Sequence, residues 1–275
     1  MRVDSHIHLW QFDQEEYDWI TDELAAIRDS FTPEDLLPFH EELKIDGFVA
    51  VQARQNDKEN TFLLNYANEH AHVLGVVGWV DLQSGNVKAE IERLKQDSYL
   101  KGLRHIIQSE PDGFMTQPTF IEGVKLLRDL DLCYDLLIYE NQLPEANKFM
   151  KKIHDDQKVV LDHIAKPKIK DAEIVDWRKG IKSLAKHENL YCKVSGMVTE
   201  ADWQNWQYED FKPYIDVIFE AFGPDRILYG SDWPVCLLSS PYQKVFSILD
   251  QYLKPFDVEV RDKVMGENAA SFYNL

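Results

Sequence analysis

The sequence predicts a single (β/α)8 barrel of the α/β class over residues 1–275, a TIM barrel with long loops after its first and seventh strands. Three observations predict it. Eight short strand-like runs alternate with longer segments of helical period. The 275 residues match the roughly 250 that one such barrel uses. No Pro/Gly/Ser-rich linker, low-complexity tract or repeat divides the chain. An open doubly wound sheet is the competing architecture. It carries a glycine-rich phosphate turn after its first strand, whereas "LWQFDQEEYDWI" here contains no glycine.

The strand candidates are "RVDSHIHL" (2–9), "DGFVAVQA" (46–53), "VLGVVGWVDL" (73–82), "LKGLRHIIQ" (100–108), "LCYDLLIY" (132–139), "KVVLDHIA" (158–165), "NLYCKVSGM" (189–197) and "RILYGSDWPV" (226–235). Between them, "DKENTFLLNYANEHA" groups Phe62, Leu63, Tyr66 and Ala67, and "GNVKAEIERLKQD" spaces Val87, Ile91 and Leu94 at helical intervals. "TQPTFIEGVKLLRDL", "LPEANKFMKKIHDD" and "VDWRKGIKSLAKH" read the same way. The first helix is predicted to begin at "TPEDL", with Thr32 as its cap and Pro33 as its first residue. Residues 10–32 and 198–213, rich in aromatic and acidic side chains, are predicted to be loops over the barrel mouth.

Composition narrows the function. Hydrophobic residues at 44% and charged residues at 28% are an ordinary globular balance. The formal net charge of −18 excludes nucleic acid and anionic membrane as partners, since both require a basic footprint. It does not exclude a small anion in a pocket. No run of about 18 apolar residues is present, and Asp4, His6 and His8 interrupt the N-terminal segment where a signal peptide would lie. Cys133, Cys192 and Cys236 sit in apolar runs without metal-finger spacing, as buried thiols of a reducing compartment do. A cytoplasmic protein is expected, with a homodimer as the assembly considered.

Barrel enzymes keep their sites at the C-terminal ends of the strands, and side chains alternate along a strand. In the first strand Val3, Ser5, Ile7 and Leu9 share one parity and are expected to face the helices. His6 and His8 then point inward, converging on a metal or a substrate; two hydrogen-bonded structural histidines are the alternative. In the sixth strand Asp162 and His163 lie on opposite sides, and parity alone does not decide which points inward. In the eighth, Asp232 ends an apolar run on the side of Leu228 and Gly230. A buried carboxylate there must be paired, bound to metal or catalytic; otherwise it is a capping or loop residue. Lys193 and Arg104 are expected inward on strands seven and four, with His105 on the outer face. Arg54 and Tyr139 end strands two and five near the mouth, where a solvated arginine and a packed tyrosine are equally compatible with the pattern.

These residues resemble a known family. HxH on strand one, His on strand six and Asp on strand eight are similar to the amidohydrolase superfamily of metal-dependent hydrolases. "VDSHIHLW", "KGLRHIIQSEPDGFM", "VLDHIAKP", "YCKVSGM" and "LYGSDWPV" resemble its amidohydrolase-2 group, and within it the sugar-acid lactonases of the L-fuconolactonase and L-rhamnonolactonase kind. The resemblance spans the whole chain, with all motifs in order. It implies hydrolysis of a sugar lactone to the aldonate, with Asp232 as the base that activates water. It implies His6, His8 and His163 around the carbonyl, or as ligands with Asp232 of one divalent metal, zinc. Arg104, Lys193 and Tyr139 would bind substrate oxygens.

The wider superfamily's binuclear members use a carboxylated lysine on strand four and a histidine on strand five. This chain has Arg104 and "DLLIYE" there, so a two-metal site is not expected; one metal or none both stay open. Trp10, with Trp19, Trp203 and Trp206, would pack against sugar C–H surfaces or form the loops' own cores. Three rival readings remain: a lactonase for a carboxylate-bearing (pyrone-dicarboxylate) substrate clamped by Arg54, Arg104 and Lys193, a zinc-dependent decarboxylase, and a non-catalytic sugar-binding barrel.

Overall fold

Apolar runs of four to eight residues, separated by amphipathic helices, bury both faces of a parallel sheet, and such a sheet closes when helices cover its whole outer surface. The computed structural model, which describes all 275 residues, has this form. Its strands are β1 (Val3–Ile7), β2 (Gly47–Val51), β3 (Val73–Gly78), β4 (Leu100–Ile106), β5 (Cys133–Leu137), β6 (Val159–Leu161), β7 (Leu190–Val194) and β8 (Ile227–Tyr229). They form one sheet in chain order, every pair parallel. A helix follows each: α1 (Leu37–Leu43), α2 (Asp57–Glu69), α3 (Val87–Leu94), α4 (Pro118–Asp129), α5 (Leu143–Met150), α6 (Val175–Leu184), α7 (Tyr208–Phe222) and α8 (Tyr242–Leu253). Two short helices, α9 (Val258–Asp262) and α10 (Asn268–Tyr273), end the chain. Every strand lies inside its predicted run, trimmed where polar residues leave the ladder at the mouth.

The barrel closes between β8 and β1 without a regular ladder. Backbone bonds from Asp232 N to His6 O (2.9 Å) and from His8 N to Trp233 O (2.6 Å) join the two strand ends. Below them the Ser5 hydroxyl donates to Tyr229 O at 2.6 Å. Asp4 completes the seam. It accepts from the backbone of His6 (3.1 Å) and Ser231 (2.9 Å) and from the Tyr242 hydroxyl (2.6 Å). The seam is thus held by side chains, and it carries three of the candidate site residues.

One expectation of facing is corrected here. The β1–β2 register advances three residues on β1 (Asp4 to Ile7) against two on β2 (Phe48 to Ala50). This bulge reverses the alternation. Val3 lies inside the barrel with Val49, Val51, Val77, Cys133, Val160 and Leu228, not against the helices. Ile7 and Leu9 pack with the helix-facing core, and His6 and His8 point inward as expected. The floor of the barrel is plugged by Ala269, Phe272 and Tyr273 of α10, which the sequence pattern did not reveal. All three cysteines are buried free thiols, and no helix is long and apolar enough to cross a membrane.

The loop after β1 closes on itself through Trp10 and Phe31, whose backbones exchange two hydrogen bonds (3.0 and 2.7 Å). At its end the Asp35 carboxylate accepts from Thr32 N at 2.8 Å, and Pro33–Leu36 form a 3-10 turn leading into α1. The loop after β7 is shorter than predicted. Asp210 accepts from Gln207 N at 2.8 Å, which starts α7 at Tyr208 and takes residues 208–213 into the helix.

Candidate active site

The C-terminal ends of the strands bring His6, His8, His163 and Asp232 together. β1 delivers the two histidines past its bulge. Gly230 permits the approach of the seam, since a Cβ there would lie 2.9 Å from His6 Cβ. Asp232 then turns inward from a left-handed backbone (φ 60°). His163 arrives differently. β6 ends at Leu161, and His163, Ile164, Ala165 and Lys166 form a left-handed turn with φ of 52, 49, 61 and 44°. Non-glycine residues rarely adopt this conformation, and a run of four is held by Trp177 Nε1, which donates to Ile164 O at 2.7 Å. The turn removes the parity conflict, because Asp162 and His163 both become buried toward the barrel axis. Gly196 (φ 60°) leaves room for the His163 ring, whose Nδ1 would lie 2.6 Å from a Cβ at that position.

The Nε2 atoms of His8, His6 and His163 lie 3.4, 3.8 and 3.8 Å from the same oxygen, Asp232 Oδ1. His8 Nδ1 is 2.7 Å from the Val51 carbonyl, which can only accept, so Nδ1 carries a proton and the ring is fixed with Nε2 turned toward the Asp232 carboxylate. A proton on Nε2 or a cation shared between the two atoms satisfies that approach. His6, His8 and Asp232 each offer one atom within 4.8 Å of the others, as do His6, Asp162 and His163. The donor set of imidazoles and a carboxylate suits zinc, and the residues present fit a divalent metal.

Burial drives both His6 and His163 toward the neutral form. His6 is held well below the usual histidine range by burial and then by the Lys193 charge, and His163 is lowered to about 4 by burial against the pull of Asp232. Burial alone would raise the Asp232 carboxyl, but the surrounding histidines outweigh it and hold it below the usual carboxylate range. It is therefore ionised at neutral pH.

Beneath this cluster runs a buried polar chain. Tyr273 from the floor donates to Asp135 at 2.9–3.0 Å. Asp135 accepts from Lys193 at 2.5 Å. Lys193 also lies 3.1 Å from Asp162 Oδ1 and 3.1 Å from His6 Nδ1. Asp162 Oδ2 accepts from Arg104 at 3.2 Å, and the same Arg104 nitrogen is 3.2 Å from His6 Nε2. Arg104 donates further to the Gln52 carbonyl. Asp135 was missed by the sequence reading, and parity left the facing of Asp162 undecided. The signal for Asp135 was available, since it is a lone carboxylate inside the apolar strand "CYDLL".

Above the cluster is a cavity of about 240 Å³ lined by His8, His163, Asp232, Arg104, Gln108 and Lys166 among polar residues and by Trp19, Ile106 and Leu137 among apolar ones. The expectation that Arg104 faces inward on β4 agrees with this lining, and His105 lies outside, 2.8 Å from Glu110. A larger groove of about 890 Å³ between α5 and α6 holds solvated lysines and acids and no convergent group.

Four residues expected at the substrate are placed elsewhere. Lys193 is fully buried below His6, consumed by two carboxylates. Arg54 pairs with Glu59 at 2.8 Å and with Glu16, bracing the loop after β1. Trp10 is fully buried in that loop's own core with Tyr17, Ile20 and Ile27, its indole nitrogen donating to Asp29 O at 2.9 Å; Trp19 reaches the cavity instead. Tyr139 is largely exposed and packs beside Lys166, whose ammonium is 5.5 Å from its ring centre. For Lys193, Arg54 and Trp10 a nearer partner within the chain satisfies the group first.

Comparison with known proteins agrees with the geometry. A family model described as Amidohydrolase matches residues 3–275. The chain is 34% identical to an L-fucono-1,5-lactonase of Burkholderia multivorans, covering 100% of this chain and 96% of that protein. It is 26% identical to an L-rhamnono-gamma-lactonase of Scheffersomyces stipitis over 69% of this chain and 63% of that one. A crystal structure of an amidohydrolase from Burkholderia multivorans with bound zinc superposes with a TM-score of 0.96 at 35% identity, covering 100% of this chain and 99% of that one.

Proposed function

This chain belongs to the amidohydrolase family, and on that premise we propose that it opens the ring of a sugar-acid lactone, an aldonolactone such as L-fucono- or L-rhamnonolactone, to the aldonate. The observation that carries the reading is the convergence of three imidazoles on one oxygen of Asp232 at the floor of a small cavity. At about 240 Å³ the cavity falls below the roughly 300–1,000 Å³ of pockets for drug-sized ligands, which suits a single sugar ring.

In the proposed mechanism, water beside Asp232 attacks the lactone carbonyl. Asp232, ionised and unshielded on the cavity side, takes the water's proton and returns it to the ring oxygen as the C–O bond breaks. The buried guanidinium of Arg104, already oriented by Asp162, would supply the preorganised donor that the developing oxyanion requires. His6, His8 and Asp232, with His163 beside them, would hold the divalent cation, zinc; bound there, it supplies Lewis acidity and lowers the pKa of water. His8 is kept in the ligating tautomer by the Val51 carbonyl, and His6 is oriented by Asp162 and Lys193, as outer partners orient metal-binding histidines generally.

The clamp expected for the dicarboxylate alternative is not assembled, although Lys166 leaves one cation lining the cavity. Of the clamp expected for two carboxylates, Arg54 and Lys193 are spent on internal acids, and Arg104 is shared with Asp162. A pH-indicator assay on purified protein tests the reading with 1,4- and 1,5-aldonolactones of both hand series and a pyrone dicarboxylate. Turnover of a sugar lactone is expected; silence across all of them, or turnover of the dicarboxylate alone, overturns it.

A further inference from the structure

Two cavity-lining groups are left without partners by the rest of the chain. Gln108 follows β4 in the turn Ile107–Ser109 and lines the cavity, yet its Oε1 is buried without a hydrogen-bond donor. Lys166 ends the left-handed turn that begins at His163 and lines the same cavity. Its ammonium has the face of Tyr139 at 5.5 Å and makes no hydrogen bond or ion pair at contact distance; Glu200 and Asp232 act on it only through longer-range attraction. A buried acceptor without a donor is destabilising, and an ammonium has three donors to satisfy. An unpartnered buried acceptor and a partly buried ammonium lining one cavity suit a ligand carrying both hydroxyl donors and oxygen acceptors.

We propose that Gln108 and Lys166 read the hydroxyl groups of the substrate, Gln108 accepting from one hydroxyl and Lys166 donating to the oxygens of another, so that the site selects a polyhydroxylated lactone over a bare one. This rests on the lactonase reading and specifies which part of the substrate the cavity recognises. A pyrone dicarboxylate, with no hydroxyl donor, leaves Gln108 Oε1 unpaired. A site built around substrate hydroxyls rejects analogues lacking them strongly, whereas an apolar pocket of the same size does not.

The test compares kcat/KM for L-fucono-1,5-lactone with that for δ-valerolactone, which has the ring and no hydroxyls. The wild type is expected to favour the sugar lactone by 10² or more. Gln108→Leu and Lys166→Met are each expected to cut that ratio about tenfold, chiefly through KM, and Lys166→Arg to restore most of it. An equal loss on both substrates, or a wild type that treats them alike, overturns the assignment. A wild type that opens neither overturns the lactonase reading itself, a distinct outcome. Should the variants lose their cooperative melting, the wild type alone decides. Saturating L-fuconate is expected to slow acetylation of Lys166 by acetic anhydride, read by peptide mass, and failure to protect overturns the proposal.

Discussion

Lys193 of β7 and Asp162, the residue that follows β6, meet 3.1 Å apart with neither side chain exposed. The same ammonium is 2.5 Å from Asp135. One cation therefore bridges two buried acids directly under His6, and Arg104 supplies the second positive charge at Asp162. Burial pushes the Asp135 carboxyl up to about 6, against the pull of Lys193. Asp162, which burial would also raise, is held low by Lys193 and His6.

Removing that cation leaves Asp135 with only the Tyr273 hydroxyl and Asp162 with only Arg104 as a cationic partner, both without solvent. Lys193→Met is expected to destabilise the fold by about 3–5 kcal/mol, the cost of breaking a buried charge group by deleting one member. Urea unfolding measures it. Lys193→Met combined with Asp135→Asn is expected to recover part of the loss, because one surplus charge goes with it. A single variant as stable as the wild type contradicts the assignment of Lys193 as the internal counter-ion.

Asp232→Asn keeps the shape of the site and removes the proton acceptor. Turnover of the aldonolactone is expected to fall by roughly 10²–10⁴-fold, with KM changed far less and the melting temperature close to that of the wild type. Near-normal turnover sinks the role of Asp232 as base.

The convergence of one ligand atom each from His6, His8 and Asp232 predicts a bound divalent ion. Elemental analysis of protein purified without chelator is expected to find zinc, and His8→Ala to lose it. Prolonged chelation is expected to lower turnover, and returned zinc to restore it and raise the melting temperature, as any ligand specific to the folded state does. Full turnover in metal-free protein means that the histidines and Arg104 carry the oxyanion without it.

The alternation of strands and helices was legible because a closed barrel demands apolar strands at regular spacing, and the eight runs show it directly. His6, His8, His163 and Asp232 stood out because polar residues at strand ends have few other uses in that fold. Facing was less legible. The bulge at Ser5 and His6 depends on the β1–β2 register, which no single strand encodes, so Val3 was assigned to the wrong side. Asp162 was ambiguous because period-two alternation stops when β6 ends at Leu161. Trp10 and Arg54 were placed at the substrate because aromatic and cationic groups near a mouth suggest contact. Their partners, Phe31 and Glu59, come together only through tertiary packing.

Asp4 gives the pH dependence a sign. It holds the seam through His6 N, Ser231 N and the Tyr242 hydroxyl, and burial raises its carboxyl from 3.8 to about 6 although those hydrogen bonds oppose the rise. Between these two values the folded protein binds the proton more tightly than the unfolded chain. The contribution of Asp4 to stability is thus full below about pH 4 and is lost as pH rises through 6. A rise of that size corresponds to roughly 3 kcal/mol. In Asp4→Asn the amide oxygen still accepts from the two backbone donors, and the amide nitrogen can donate to Tyr242, without a titratable charge. The difference in unfolding free energy between variant and wild type is expected to move in favour of the variant from pH 4 to pH 6.5 and then level off. Urea titrations at half-unit intervals measure it; a difference that moves the other way would show that Asp4 is ionised more easily in the fold than in water, and that the seam is held by its charge.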